Sequence, residues 1–220
     1  MDAAAARAWL RQGAAVVLPN PEPLTYTVAA TRPDAVNTAK GRPARQAVAL
    51  WAHDRDILTA LEGVLTLDTA RFAVARRLLV EERVTLLVPL RADVSVPAWL
   101  APAAKDGWAL LFGARWAPLL PVLADFSTLY VSSANRTGRP PAATATDALA
   151  MFSPHTPVLD SMSLAGAGPD PLQASPGPRS ATTTLRLHSD GLIDLHRSGA
   201  QDRAYTDTEE YLSQIRSTYR

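Results

Sequence analysis

Short apolar runs that end in proline or glycine alternate along this chain with longer segments rich in helix formers. That alternation most narrows the folds open to it. Residues 14–18 are apolar and are followed by Pro19 and Pro21, which marks a buried strand rather than a helix. Residues 24–30, rich in Thr, Tyr and Val, read as its hairpin or bulge partner, and 47–51, 83–90, 108–112 and 128–132 as further strands. Between them lie helical stretches at 2–12, 33–39, 54–62, 68–80 and 118–124, with Gly13 where a C-cap glycine belongs. Interleaved strands and helices with short connections specify an α/β fold whose sheet is mixed, with at least some parallel pairing. Residues 182–187 and 192–196, joined by Ser189-Asp190-Gly191, form a last β-hairpin. Thr206 or Thr208 then caps a final helix, whose first turn carries Glu209 and Glu210.

The 220 residues suffice for one large core, so the expectation is a single domain over 1–200 with 201–220 as a C-terminal helix or tail. With no cysteine, disulfides, thiolate metal sites and Cys nucleophiles are excluded; four scattered His offer no zinc-ligand spacing, and no metal-ligating residue is expected. Basic and acidic residues number 22 and 21, which gives no bulk nucleic-acid footprint and leaves only a local basic cleft. No stretch approaches the roughly 18 uninterrupted apolar residues of a membrane span. A cytoplasmic protein with no membrane partner is the expectation. The Gly- and Pro-rich stretch 161–179 reads as a mobile loop able to act as a lid.

Three short segments carry candidate chemistry. Lys40 and Arg42 sit two apart in the turn Lys40-Gly41-Arg42-Pro43 after a helix, where an ammonium and a guanidinium fork can converge on one anion such as phosphate or bicarbonate. Taken alone, such a pair is more often a solvated surface turn. Ser132-Ser133-Ala134-Asn135 follows a strand and precedes the turn residues Thr137-Gly138. Open α/β sheets place ligands at such strand ends, so the Ser133 hydroxyl and the Asn135 amide are candidates for phosphate, ribose or carboxylate. The alternative there is an Asx-type turn. His196-Arg197-Ser198-Gly199-Ala200 ends the last hairpin, and Arg197 beside a glycine offers a third phosphate contact. Asp160 is read as either a solvated loop carboxylate or a helper for magnesium.

In this order and spacing, the three segments resemble the KxRP, SxN and R-x-G motifs of the YrdC-like family, and the likeness runs over 13–200. That resemblance implies a twisted, mixed sheet around a cationic cavity. It also implies an enzyme, a threonylcarbamoyl-adenylate synthase: threonine captures bicarbonate as an N-carboxylate, which attacks the α-phosphate of ATP and releases pyrophosphate. ATP, Mg2+ and bicarbonate are the implied cofactors and co-substrates, and a separate carbamoyl transferase, acting on tRNA, is the implied downstream partner. Carried onto this sequence, Lys40 and Arg42 hold carboxylate and phosphates, while Ser133, Asn135, Thr182 and Arg197 hold the nucleotide. Thr25 and Tyr26 face the amino acid.

The departures from the family pattern are concentrated on the amino-acid side. The family's opening motif, near PTDTVYGL, is replaced by a Pro-rich segment ending in Leu24-Thr25-Tyr26-Thr27-Val28. Its PGPLT run corresponds to Glu81-Glu82-Arg83-Val84-Thr85, and Leu111-Phe112-Gly113 stands near its Arg-Val-Pro segment, so one arginine of the pattern is either missing or moved to Arg115. Three classes of function follow as alternatives. They are the tRNA-modification synthase, a carbamoyl-adenylate-forming enzyme acting on another amine or on carbamoyl phosphate, and a non-catalytic member that binds RNA or nucleotide.

Overall fold

The computed structural model describes residues 1–164 and 178–219. In chain order the elements are α1 (Ala3–Arg11), β1 (Val16–Leu18), β2 (Thr27–Ala30), α2 (Pro33–Ala39), β3 (Ala49–Trp51), α3 (Arg55–Glu62), α4 (Thr69–Arg77), β4 (Thr85–Pro89), β5 (Ala104–Lys105), β6 (Trp108–Phe112), α5 (Leu120–Leu123), β7 (Tyr130–Ser133), α6 (Ala145–Phe152), β8 (Thr184–Leu187), β9 (Ile193–Arg197) and α7 (Thr208–Thr218). The fold class is α/β with mixed strand pairing, as the alternation requires: β3 and β6 run parallel, as do β4 and β8, and the other described pairs are antiparallel. Among the described residues no helix is long and apolar enough to cross a membrane. The chain divides into two compact units, Met1–Val48 with Arg115–Ala181, and Ala49–Ala114 with Thr182–Arg220.

In the first unit β2 lies between β1 and β7, with Val17 opposite Val28 and Thr27 opposite Ser133. Every residue of β1 and β2 is buried, so these strands read in sequence as apolar runs rather than as an alternation. The Asp2 carboxylate caps α1 by accepting from the Ala5 amide, and the helix buries Ala6 and Leu10. Gly13 follows at φ 75°, a left-handed turn in which a Cβ would meet the Arg32 side chain at 2.7 Å. Pro33 opens α2 at the first helical turn, where its missing N–H costs nothing. A capping box between Thr144 and Asp147 starts α6.

In the second unit the order is β3, β6, β4, β8, β9, with β5 on the flank of β6. Pairing of Trp51 with Phe112, Phe112 with Thr85, Thr85 with Thr184 and Thr184 with Arg197 makes one cross-strand row. The helix expected over 68–80 is α-helical only to Arg77. It widens into a π-helical turn, Leu78–Glu82, that ends at Arg83 with φ 61°. The final helix is capped by Asp207 rather than by Thr206 or Thr208: its carboxylate accepts from the Glu210 amide at 2.9 Å. A carboxylate at this position satisfies the orphan amide and also favours the positive end of the helix dipole.

That helix is fixed to the π-helical turn by Glu82, whose two carboxylate oxygens accept from the hydroxyls of Tyr211 and Tyr219, each at 3.2 Å. Burial holds the Glu82 carboxyl above its ordinary value of 4.5 and outweighs the two tyrosine hydrogen bonds, which act the other way. Its folded-state pKa is therefore raised, so its contribution to stability is complete below pH 4.5 and is lost as pH rises through the elevated value. Urea unfolding of the Glu82→Gln variant is expected to show a flatter dependence of stability on pH just above 4.5 than the parent. Parallel curves for the two proteins would remove this reading.

Candidate functional site

The cationic segment begins where α2 ends. Lys40 is the C-cap of α2, Gly41 turns the chain at φ 65°, and Lys40 itself is only 4% exposed. Its ammonium donates to the Asn135 side-chain oxygen at 2.8 Å and to the Ser133 carbonyl, across 95 and 93 residues of sequence. The Ser133 hydroxyl donates to the same Asn135 oxygen at 2.7 Å. Meanwhile the Asn135 amide nitrogen donates to the carbonyl of Arg139 at 2.9 Å, closing the turn that Gly138 permits with φ 80°. The turn-forming role of Asn135 and its contact with the lysine are thus compatible, because they use opposite ends of one amide.

Arg42 is directed by a residue that the sequence did not single out. Asn37, fully buried on α2, donates its amide nitrogen to the carbonyls of Ala44 at 2.7 Å and Gln46 at 2.8 Å, and its oxygen accepts from Arg42 Nε. One side chain therefore fixes the 40–46 turn and orients the guanidinium. Arg42 Nη2 is buried and has no hydrogen-bond partner among the described residues. Burial lowers the pKa of this arginine, although a guanidinium stays charged at any physiological pH. A buried cationic donor left open is costly unless an anion or a carbonyl oxygen meets it.

Thr25 and Tyr26 lie in the same unit, beside the Ser133–Asn135 segment: the Ala134 amide donates to the Tyr26 carbonyl at 2.9 Å. Both residues are 4% exposed. They are not part of β2 as expected, because the Thr25 amide donates to the Ser180 carbonyl and the Tyr26 amide to that of Ala142. Asn20 organises this segment through hydrogen bonds to the Thr25 carbonyl at 2.8 Å and the Thr27 hydroxyl at 2.7 Å. Arg179 latches it from above, with its guanidinium 6.0 Å from the Tyr26 ring centre and bonded to the Leu24 carbonyl and the Glu22 carboxylate. No spacing in the sequence marks Asn20 or Arg179.

Thr182 and Arg197 belong to the second unit. The Thr182 hydroxyl is 2.6 Å from that of Thr85, and the Thr182 carbonyl accepts from Arg197 Nη2 at 3.4 Å. Phe112, in the segment read as near the family's Arg-Val-Pro, packs edge-on against Trp51 with ring centres 5.4 Å apart. Asp160 closes a local turn by accepting from the Met162 amide at 3.0 Å. Most of the stretch read as a lid, 165–177, lies outside the described residues. Among the described residues no three carboxylate or imidazole groups gather into a metal-binding cluster.

The fold that presents these groups is the YrdC-like one. It is shared with P. abyssi Sua5, solved with L-threonine, at a TM-score of 0.63 and 18% identity over 90% of this chain and 54% of that one. E. coli YciO matches at a TM-score of 0.60 and 14% identity, over 90% of this chain and 88% of that one. Full-length HypF in its phosphate- and nucleotide-bound form matches at 0.60 and 14%, covering 90% of this chain and 29% of HypF. The chain thus spans little more than half the length of the Sua5 proteins that it matches. The sequence matches no family model and no curated protein.

Proposed function

We propose that this chain is a divergent YrdC-like enzyme that forms a carbamoyl adenylate from ATP, bicarbonate and an amino acid, with threonine as the first candidate. The observation that carries the reading is the first unit's anion-binding geometry. There a buried Lys40 ammonium is held on Asn135 and Ser133, and Arg42, two residues on, keeps a buried donor open. In the proposed reaction the amine and bicarbonate lose water to give a carbamate. A carbamate oxygen bonds to the α-phosphorus of ATP, and the bond from that phosphorus to the pyrophosphate oxygen breaks. The protein's part is to hold three anions in line and to balance the charge that develops on phosphate.

In this reading Lys40 and Arg42 hold carboxylate and phosphate oxygens, Ser133 and Asn135 the nucleotide, and Thr25 and Tyr26 the amino acid. In the second unit, Thr182 and Arg197 are nucleotide candidates on the strength of the resemblance alone. The described residues do not form a magnesium cage of their own. Magnesium enters only as the counter-ion of the ATP phosphates, which is how that ion is commonly bound. Solved relatives of the fold support the ligand classes: Sua5 was solved with L-threonine, and HypF in a phosphate- and nucleotide-bound form.

The test is pyrophosphate release from ATP, with and without bicarbonate, across a panel of amino acids and other amines. The expected result is release that requires bicarbonate and an amine together. Release with carbamoyl phosphate in place of bicarbonate and amine would move the chain to the second class of carbamoyl-adenylate chemistry. An absence of release with every acceptor, together with salt-sensitive RNA binding, would make it a non-catalytic RNA-binding member. Threonine preferred over valine by more than about a thousandfold, beyond what pocket shape alone gives, would identify a dedicated hydroxyl contact and the tRNA-modification role.

A further inference from the structure

In the second unit the segment entering β8 and the segment leaving β9 are joined by one carboxylate. Asp202 Oδ1 accepts from the Gly199 amide at 2.7 Å and from the Thr183 hydroxyl, while Oδ2 accepts from the Ser198 hydroxyl. Thr183 is fully buried. Its hydroxyl oxygen also accepts from the amides of Gln201 at 3.1 Å and Asp202 at 3.2 Å, and its own amide donates to the Gln201 side-chain oxygen at 2.8 Å. The Gln201 amide nitrogen is in turn tied to the Arg83 carbonyl at 3.0 Å. Three segments separated in sequence, at Arg83, at Thr183 and at 198–202, are thereby tied together.

We propose that Asp202 is the positioning residue for Arg197 and Thr182. Thr182 immediately precedes Thr183, and Arg197 immediately precedes Ser198, so the carboxylate fixes the backbone one residue away from each. The one described bond between those two residues, from Arg197 Nη2 to the Thr182 carbonyl, is long at 3.4 Å. A bond of that length holds the guanidinium weakly, whereas the charge-assisted bonds to Asp202 fix the backbone on either side from which Arg197 and Thr182 project. Asp202 acts only through its neighbours and does not touch the nucleotide. The proposal rests on the reading that Arg197 contacts the nucleotide phosphates.

The experiment is a double-mutant cycle read by ATP affinity, using calorimetry on the full chain, with thermal midpoints recorded for every variant. Asp202→Ala is expected to weaken ATP binding by about tenfold, and Asp202→Asn, which retains one acceptor and the side-chain shape, by less than about threefold. In an Arg197→Ala background the further loss from Asp202→Ala is expected to shrink to the part that acts through Thr182, because there is no longer a guanidinium to position. A loss of equal size in both backgrounds makes Asp202 a structural residue and overturns the proposal. So does an Asp202→Ala protein that is folded by its thermal midpoint and binds ATP like the parent. Arg197→Ala alone leaving ATP affinity unchanged overturns it in a distinguishable way, since that outcome removes the nucleotide role of Arg197 itself.

Discussion

Lys40→Met is expected to abolish ATP-dependent pyrophosphate release, by at least about a hundredfold, which is the usual loss when one donor to a developing oxyanion is removed. Methionine retains the apolar stem and discards the charge, so the change isolates the ammonium. It also removes one of two donors from each of the Ser133 carbonyl and the Asn135 oxygen, which keep the Asn135 backbone amide and the Ser133 hydroxyl respectively, so the stability cost is expected to be about 1 kcal/mol for each lost bond. Activity and unfolding should therefore be measured on the same preparation. Loss of turnover with the protein still folded assigns the ammonium to the reaction. Parental turnover in a destabilised protein would make Lys40 a buried structural cation and would remove the main support for an adenylating enzyme.

Gly113→Ala is expected to be among the most destabilising single substitutions in the chain, costing about 3 kcal/mol or more. A Cβ at this position would lie 2.4 Å from the Leu79 carbonyl oxygen, 2.7 Å from Leu79 Cα and 2.7 Å from the Val84 carbonyl oxygen. All three are backbone atoms, which cannot rotate away as a flexible side chain does. The contact arises because the π-helical turn brings Leu79 against the end of β6, where the Gly113 amide donates to Val84 at 3.0 Å. Guanidinium unfolding measures it; a shift of less than about 1 kcal/mol would mean that the turn relaxes at small cost.

Neither expectation could be read from local sequence alone. Gly113 looks like any glycine after a strand, and its necessity depends on a π-helical widening that the pattern over 68–80 continues straight through. Elements whose signals lie within a few residues were legible: Pro33 opens α2 where proline belongs, Asp54 caps α3, and Trp108–Phe112 is a strand with the expected bounds. Residues 24–26 were misread as strand because their backbone partners, Ser180 and Ala142, are distant in the chain. Candidate-site residues divide in the same way. Lys40 and Asn135 came from motif order, whereas Asn37, Asn20 and Arg179 have no local signature and emerge only once the chain is folded around them. The same is true of Asp202, since a carboxylate five residues beyond Arg197 gives no hint that it reaches back to Thr183.

The strand pairing of the second unit also dictates an order of assembly. β4 pairs with β6 after a short excursion, but its other edge is completed only by β8, with Thr85 opposite Thr184. Ribosomes add about 5–20 residues each second, so the nascent chain carries an open, strongly apolar Leu86-Leu87-Val88 edge for several seconds before its partner emerges. Unpaired edges of this kind are templates for pairing with other chains. Chaperone capacity during synthesis is therefore expected to favour production of this protein, by shielding β4 while β8 is still being made.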